Sequence, residues 1–395
     1  MAKIKIRKKE YQEKDVFDAA LDRIRYIYQR FDKVVVSFSG GKDSTVVLQM
    51  TMIVAKELDR LPLDVVFFDE EVISPETVEY CERISQDPDI NFSWFCLPCK
   101  LRNAASNVQP YWHPWNPEKK DVWVRPLPET AITEHPRFNN EMGFQHFCPY
   151  IYEKKDGAIA MLTGIRTQES MRRYQSIARK KNDAYITGNG ENNQYRCSPI
   201  YDWSSEDVWL VVKKLKWDYN TTYDIYNKTN MHGRYLAQRV GAAFGEEPLR
   251  RLWIYSECWP ELWEKMTKRV PGILTAWRYA NSELYSNATK KPENLSYKEY
   301  LNVILETFST EPRQQVKKTL NGYMRRHKKF SKMPIPDNIP DPISGVSWQF
   351  LCRCAIRGDF KARQLNVLPA LAEKTQKKLG ITLDEAKKLY GHGYE

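Results

Sequence analysis

Long apolar runs are missing from this chain: no stretch of eighteen apolar residues occurs among its 395, so no membrane helix is expected. The opening MAKIKIRKKEYQEKD has no apolar core after its charges, and no secretory signal is expected. Cysteine is sparse. The eight present are scattered and no two are adjacent, which argues against a disulfide framework. Neither G-x-x-x-x-G-K-[ST] nor G-x-G-x-x-G occurs, which excludes a Walker A loop and a dinucleotide fingerprint. No internal repeat is visible. These absences leave a cytoplasmic, soluble protein as the expectation.

What is present is the material of a large folded chain. Hydrophobic residues make up 42% and aromatics 13%, with 12 Trp, enough for a sizeable core and more than one domain. The formal net charge of +11 suits an anionic partner such as a nucleotide, a phosphosulfate or a nucleic acid. Strand-like apolar stretches at 34–36, 63–70, 90–98 and 158–166 alternate with helical patterns. That order predicts an α/β fold, a parallel sheet with helices on both faces. Ser74 is a candidate helix N-cap, with Pro75 at the first helical position. Residues 1–245 read as this domain, interrupted near 98–150 by a Trp- and Pro-rich insertion. Residues 246–395 read as a helical, basic extension, with PIPDNIPDPISG as an extended linker inside it.

The stretch KVVVSFSGGKDSTVVLQM carries the first chemistry. A β-branched run turns through Gly40 and Gly41 into a helix. Turn amides and a helix N-terminus there can hold an anion. Ser39 and Ser44 add hydroxyls, Asp43 lies between, and Lys42 adds charge. Asp69 ends the second strand at the level of this loop, where a ribose, an adenine amine or a hydrated Mg2+ is within its chemistry. Gly164, Arg166, Glu169 and Arg173 follow the fourth strand, and arginine forks suit phosphate or sulfate.

These segments carry a resemblance. SGGKDS, VVFFDEEVISPET, LTGIRTQESMRR and SPIYDWSSEDVW occur in the order found in the phosphoadenosine phosphosulfate (PAPS) reductase-like family of the PP-loop ATP pyrophosphatase superfamily. The region QRVGAAFGEEPLRRLWIYSECWPELWEK is similar to an uncharacterised extension of bacterial and phage relatives. The resemblance implies ATP or PAPS as ligand, Mg2+ with it, and adenylyl or sulfo transfer as the reaction. It makes Lys42, Arg166 and Arg173 the expected catalytic groups. Ser39, Gly40, Gly41, Asp43, Ser44, Asp69, Gly164 and Glu169 become the expected nucleotide contacts.

The cysteines depart from that family. Its nucleophile lies in a C-terminal Glu-Cys-Gly-like segment that this chain lacks, and CRC at Cys352 and Cys354 falls in a helical pattern. A thiol-dependent reductase is therefore not the expected activity. Cys96 and Cys99 have zinc-ligand spacing and Cys148 is a third candidate ligand; buried thiols are the competing reading. The basic segment 313–332, with Arg325, Arg326, Lys328 and Lys329 beside Tyr323 and Phe330, is a candidate nucleic-acid contact. The alternative to an enzyme is a nucleotide-sensing or nucleic-acid-binding regulator on the same fold, with a protein partner.

Overall fold

The computed structural model describes residues 11–106, 108–178, 185–188, 191–229, 240–242, 244, 252–279, 291–356 and 362–392. The chain divides into two compact units: Met1–Arg102 with Tyr111–Val270, and Asn103–Pro110 with Pro271–Glu395.

The first unit runs α1 (Val16–Arg30), β1 (Lys33–Phe38), α2 (Lys42–Glu57), β2 (Leu63–Phe68), α3 (Pro75–Ser85) and β3 (Ile90–Phe95). It continues through β4 (Leu101–Arg102), β5 (Tyr111–Trp112), β6 (Ala131–Ile132), α4 (Phe144–Phe147), β7 (Ile159–Leu162), α5 (Met171–Ala178), β8 (Ile186–Thr187) and β9 (Gln194–Cys197). It closes with α6 (Ser205–Leu215), α7 (Thr222–Lys228), α8 (Leu252–Cys258) and α9 (Pro260–Arg269). Among the described residues seven strands form one sheet in the order β6-β3-β2-β1-β7-β9-β8, parallel except for β8.

Successive strand residues point to opposite faces. Val34, Val35 and Val36 of β1 are all buried, so both faces of the sheet are covered, as a parallel sheet requires. The periodicity of α1 and α2 supplies part of that cover through Ile24, Ile27, Val46, Val47 and Met50. Asp202 and Trp203 fasten α1. Arg23 donates to both Asp202 carboxylate oxygens (2.8 and 2.6 Å), and the Trp203 indole donates to the Val16 carbonyl at 3.0 Å. A reciprocal capping box between Ser204 and Asp207 starts α6. Ser74 stands at the N-cap of α3 but makes no side-chain cap bond; its hydroxyl meets those of Thr77 and Thr222 (2.8 and 2.6 Å).

The second unit contains α10 (Ile273–Tyr279), α11 (Tyr297–Glu306), α12 (Thr310–Phe330), α13 (Trp348–Ile356), α14 (Leu368–Leu379) and α15 (Leu383–Tyr390). Its core joins Leu301, Ile304, Val316, Leu320, Tyr323 and Leu351. The Asn103 side-chain amide ties the excursion 103–110 into this unit by donating to the Gln109 and Pro271 carbonyls. The second half of the proline-rich segment expected as a linker is packed. Asp341 and Ser344 are buried, and the Asp341 carboxylate accepts from the Ile343 and Ser344 amides and the Ser331 hydroxyl. Prolines remove donors, and this carboxylate instead organises the local backbone. Among the described residues no helix is long and apolar enough to cross a membrane.

Candidate nucleotide-binding site

Strand order places the site. The chain leaves β1 through α2 toward β2, whereas β7 pairs with the other edge of β1. Beyond the carboxyl ends of β1 and β7 lies the crevice of a topological switch point, where open α/β sheets bind ligands. A cavity of about 610 Å3 occupies it, a size suited to a nucleotide-class ligand.

The glycine loop forms one wall through Ser39, Gly41, Asp43 and Ser44. Gly40 adopts a left-handed backbone (φ +69°), and its carbonyl accepts from the Asn220 side chain at 2.9 Å. A Cβ there would lie 2.9 Å from Thr77 Cγ2. The Ser44 hydroxyl donates to the Gly41 carbonyl (2.9 Å), accepts from the Ser39 amide (3.2 Å) and lies 3.0 Å from the Ser39 hydroxyl. The Lys42 amide donates to the buried Tyr223 hydroxyl at 3.1 Å. Burial pushes the Tyr223 phenol well above its ordinary pKa, so it stays neutral. The first turn of α2 thus faces the cavity with its positive dipole end.

The segment after β7 forms the opposite wall through Gly164, Glu169 and Arg173. Arg173 pairs with Glu169 one helical turn away. Gly164 lies against the first turn of α2: a Cβ would sit 2.7 Å from both the Asp43 carbonyl carbon and the Ser44 nitrogen.

Other expected site residues stand behind this surface. Lys42 is buried, and its ammonium donates to Asp43 Oδ2 at 2.9 Å. Arg166 is buried as well. Its Nε donates to Asp43 Oδ1 at 2.6 Å, and its other nitrogens donate to the Trp203 carbonyl, Gln168 and Ser205. Two cations therefore share one carboxylate directly behind the loop, leaving an excess positive charge under the anion wall. Asp69 does not line the cavity. Its carboxylate accepts from the Trp94 indole (2.8 Å), the Glu71 amide (2.8 Å) and Arg125.

Sequence reasoning passed over several lining groups. Glu70, the neighbour of Asp69, lines the cavity and accepts from the Ala242 amide at 2.8 Å. Burial raises its pKa. Gln194 also lines the cavity; its Nε2 donates to the Pro149 carbonyl (3.0 Å), while its buried Oε1 has no hydrogen-bond partner among the described residues. Tyr195, Phe68 and Phe144 add aromatic surface. No local pattern distinguishes these side chains from core residues.

The three candidate zinc ligands are not gathered into one ligand group, although Cys99 and Cys148 are near enough to interact electrostatically. Among the described residues no group of three or more His, Cys, Asp or Glu could hold a metal ion. Cys148 lines the cavity, whereas Cys96 is buried beside Asp69, with its thiol 3.8 Å from Oδ2. Burial pushes the Cys99 and Cys148 thiols up to about 12 and Cys96 higher still. Magnesium needs no all-protein cage, because nucleotide phosphates and water supply most of its ligands; Glu70 and Glu169 are carboxylates on the cavity wall.

The strand–glycine-loop–helix wall at a parallel-sheet switch point is that of the PP-loop nucleotide-binding fold. Comparison with known proteins agrees. Residues 33–229 match the phosphoadenosine phosphosulfate reductase domain, and residues 234–339 match a domain of unknown function, DUF3440. The chain therefore carries a PAPS reductase family domain followed by a DUF3440 domain. It is 26% identical over 385 residues to the uncharacterized protein YbdN of Escherichia coli K12, covering 92% of this chain and 93% of YbdN. It is 27% identical over 206 residues to the uncharacterized protein MJ0066 of Methanocaldococcus jannaschii, covering 52% of this chain and 36% of that protein. Among solved structures, the phosphate complex of PAPS reductase from Candida auris aligns at 13% identity and a TM-score of 0.34, over 60% of this chain and 99% of that one.

Proposed function

We propose that the chain binds ATP or PAPS in the switch-point cavity and transfers the adenylyl or sulfo group to an acceptor. The observation that carries this reading is the convergence of the glycine loop, the α2 N-terminus and Arg173 on one cavity. The loop amides and the Ser39 and Ser44 hydroxyls would hold the leaving phosphate or pyrophosphate. Lys42 and Arg166, held by Asp43, would add positive potential from behind. Arg173 would reach the α-phosphate or phosphosulfate from the opposite wall. Mg2+, when bound with the nucleotide, would supply charge neutralisation at the phosphates. No protein nucleophile is required for adenylyl transfer.

Incubation with ATP and with PAPS, followed by analysis for AMP, pyrophosphate, sulfite and adenosine bisphosphate, tests the reading. Release of pyrophosphate with AMP, or of adenosine bisphosphate, supports it. Absence of calorimetric binding of either nucleotide overturns it. Arg173→Gln is expected to weaken nucleotide binding by about tenfold, the value of one charge-assisted hydrogen bond, with little change in thermal stability. Lys42→Ala is expected to lower both affinity and the unfolding midpoint, because its ammonium is packed inside against Asp43. Equal unfolding midpoints for the two variants would contradict the placement of Lys42 behind the wall.

Thiol-driven sulfite release from PAPS is expected to be absent. Cys352 and Cys354 are buried in the core of the second unit, and burial pushes Cys352 up to about 12. Cys148 faces the cavity, but with its pKa also near 12 it is almost wholly protonated at neutral pH. Sulfite production with thioredoxin that disappears in Cys148→Ser would restore a reductase.

A further inference from the structure

The positive charge of this chain is unevenly placed. Residues 271–395 hold 21 Lys and Arg against 12 Asp and Glu, which is +9 of the total +11. The excess therefore falls outside the unit that carries the nucleotide cavity. Its densest part is α12. Lys317, Lys318, Asn321, Arg325, Lys328 and Lys329 are exposed there, and their spacing sets them along one side of the helix. The other side, through Val316, Leu320, Tyr323 and His327, is buried in the unit's own interior.

Five cations on this face have no carboxylate partner among the described residues. Elsewhere in the chain, exposed helical lysines do find one: Lys268 with Glu264, Lys377 with Glu373 and Lys387 with Asp384. No acidic residue follows Glu311 within α12. The stripe from 317 to 329 spans about 18 Å at 1.5 Å per residue. At its end the Phe330 ring is exposed, and the Arg326 guanidinium lies 4.8 Å from the ring centroid. Arg326 Nε has no hydrogen-bond partner among the described residues.

We propose that the exposed face of α12 binds the phosphate backbone of a single-stranded nucleic acid, with Phe330 stacking on an unpaired base. A run of unpaired cations beside one aromatic ring is the chemistry that such strands recognise. A membrane surface fits less well, because the apolar side of α12 is already buried and cannot insert. An acidic protein fits less well, because the stripe has no apolar centre around which an interface could close.

The full-length chain is titrated into a fluorescently labelled oligothymidylate, and anisotropy is read at several salt concentrations. Five phosphate contacts predict a log–log salt slope near −3.5, or about 100-fold weaker binding between roughly 50 and 200 mM salt. Changing Lys317, Lys318, Arg325, Lys328 and Lys329 together to Gln is expected to bring the slope close to zero. The same change at Lys374 and Lys378 of α14, exposed in the same unit, is expected to leave it nearly intact. Phe330→Ala is expected to weaken binding about fivefold or more without altering the slope; it also tests the site should the multiple variant fold poorly. The proposal fails if the parent does not bind at about 50 mM salt, or if the α14 variant weakens binding as much per charge. It also fails if polyglutamate or anionic phospholipid vesicles displace the oligonucleotide as well as unlabelled oligothymidylate does.

Discussion

Gly164→Ala is expected to abolish nucleotide binding, with affinity reduced beyond about 100-fold and a lower unfolding midpoint. The added Cβ would stand 2.7 Å from the Asp43 carbonyl carbon and the Ser44 nitrogen, and 2.9 Å from the Asp43 carbonyl oxygen. All three are backbone atoms of the first turn of α2, so no side-chain rotation relieves the overlap. Either the segment after β7 or the helix N-terminus must shift. Overpacking of this kind costs about 1–3 kcal/mol. The loss of binding should be larger than that, because the shift misaligns the anion donors and opens the seam between the two cavity walls. Gly322, within α12, offers the opposite sign: among the described residues nothing lies within 4 Å of its Cβ position, and Gly322→Ala should stabilise by about 0.5–1 kcal/mol. Calorimetry and thermal denaturation on the two variants measure both effects. Parent-like nucleotide affinity in Gly164→Ala would remove the junction of α2 and β7 from the binding site.

The second large effect is expected at Glu71. Its carboxylate is fully buried and takes two parallel hydrogen bonds from Arg269, at 2.8 Å each. It also accepts from the Trp115 amide at 2.8 Å, and Arg269 donates to the His113 carbonyl at 2.7 Å. This pair joins the end of β2, the Trp-rich insertion and α9. Arg269→Met should destabilise by about 3–5 kcal/mol, because it leaves Glu71 buried and uncompensated. Adding Glu71→Gln should recover part of that loss, since a neutral amide retains an acceptor for the Trp115 amide. Chemical denaturation of the parent, both single variants and the double variant gives the coupling. A double variant no more stable than Arg269→Met would mean that the charge pair does not organise this region.

Much of the architecture was legible because its determinants are local. The β-branched run before Gly40 makes β1, and Pro75 opens α3. Each depends on neighbours within a few residues, so the sequence by itself determined the alternation of strands and helices, the glycine turn and the helical extension. It also marked Ser39, Gly41, Ser44, Gly164 and Arg173, all of which line the cavity. The orientation of the remaining groups was decided only by tertiary structure. Lys42 and Arg166 carry the charge expected of phosphate ligands, yet Asp43 holds both behind the wall. Asp69 is directed to Trp94 and Arg125, and its neighbour Glu70 reaches the cavity instead. Alternation along a strand end says that adjacent side chains diverge; it does not say which of them meets a half-buried arginine 56 residues away. Glu71 finds Arg269 across 198 residues. Such pairings follow from strand order and from where a later helix docks, and no short-range pattern encodes either.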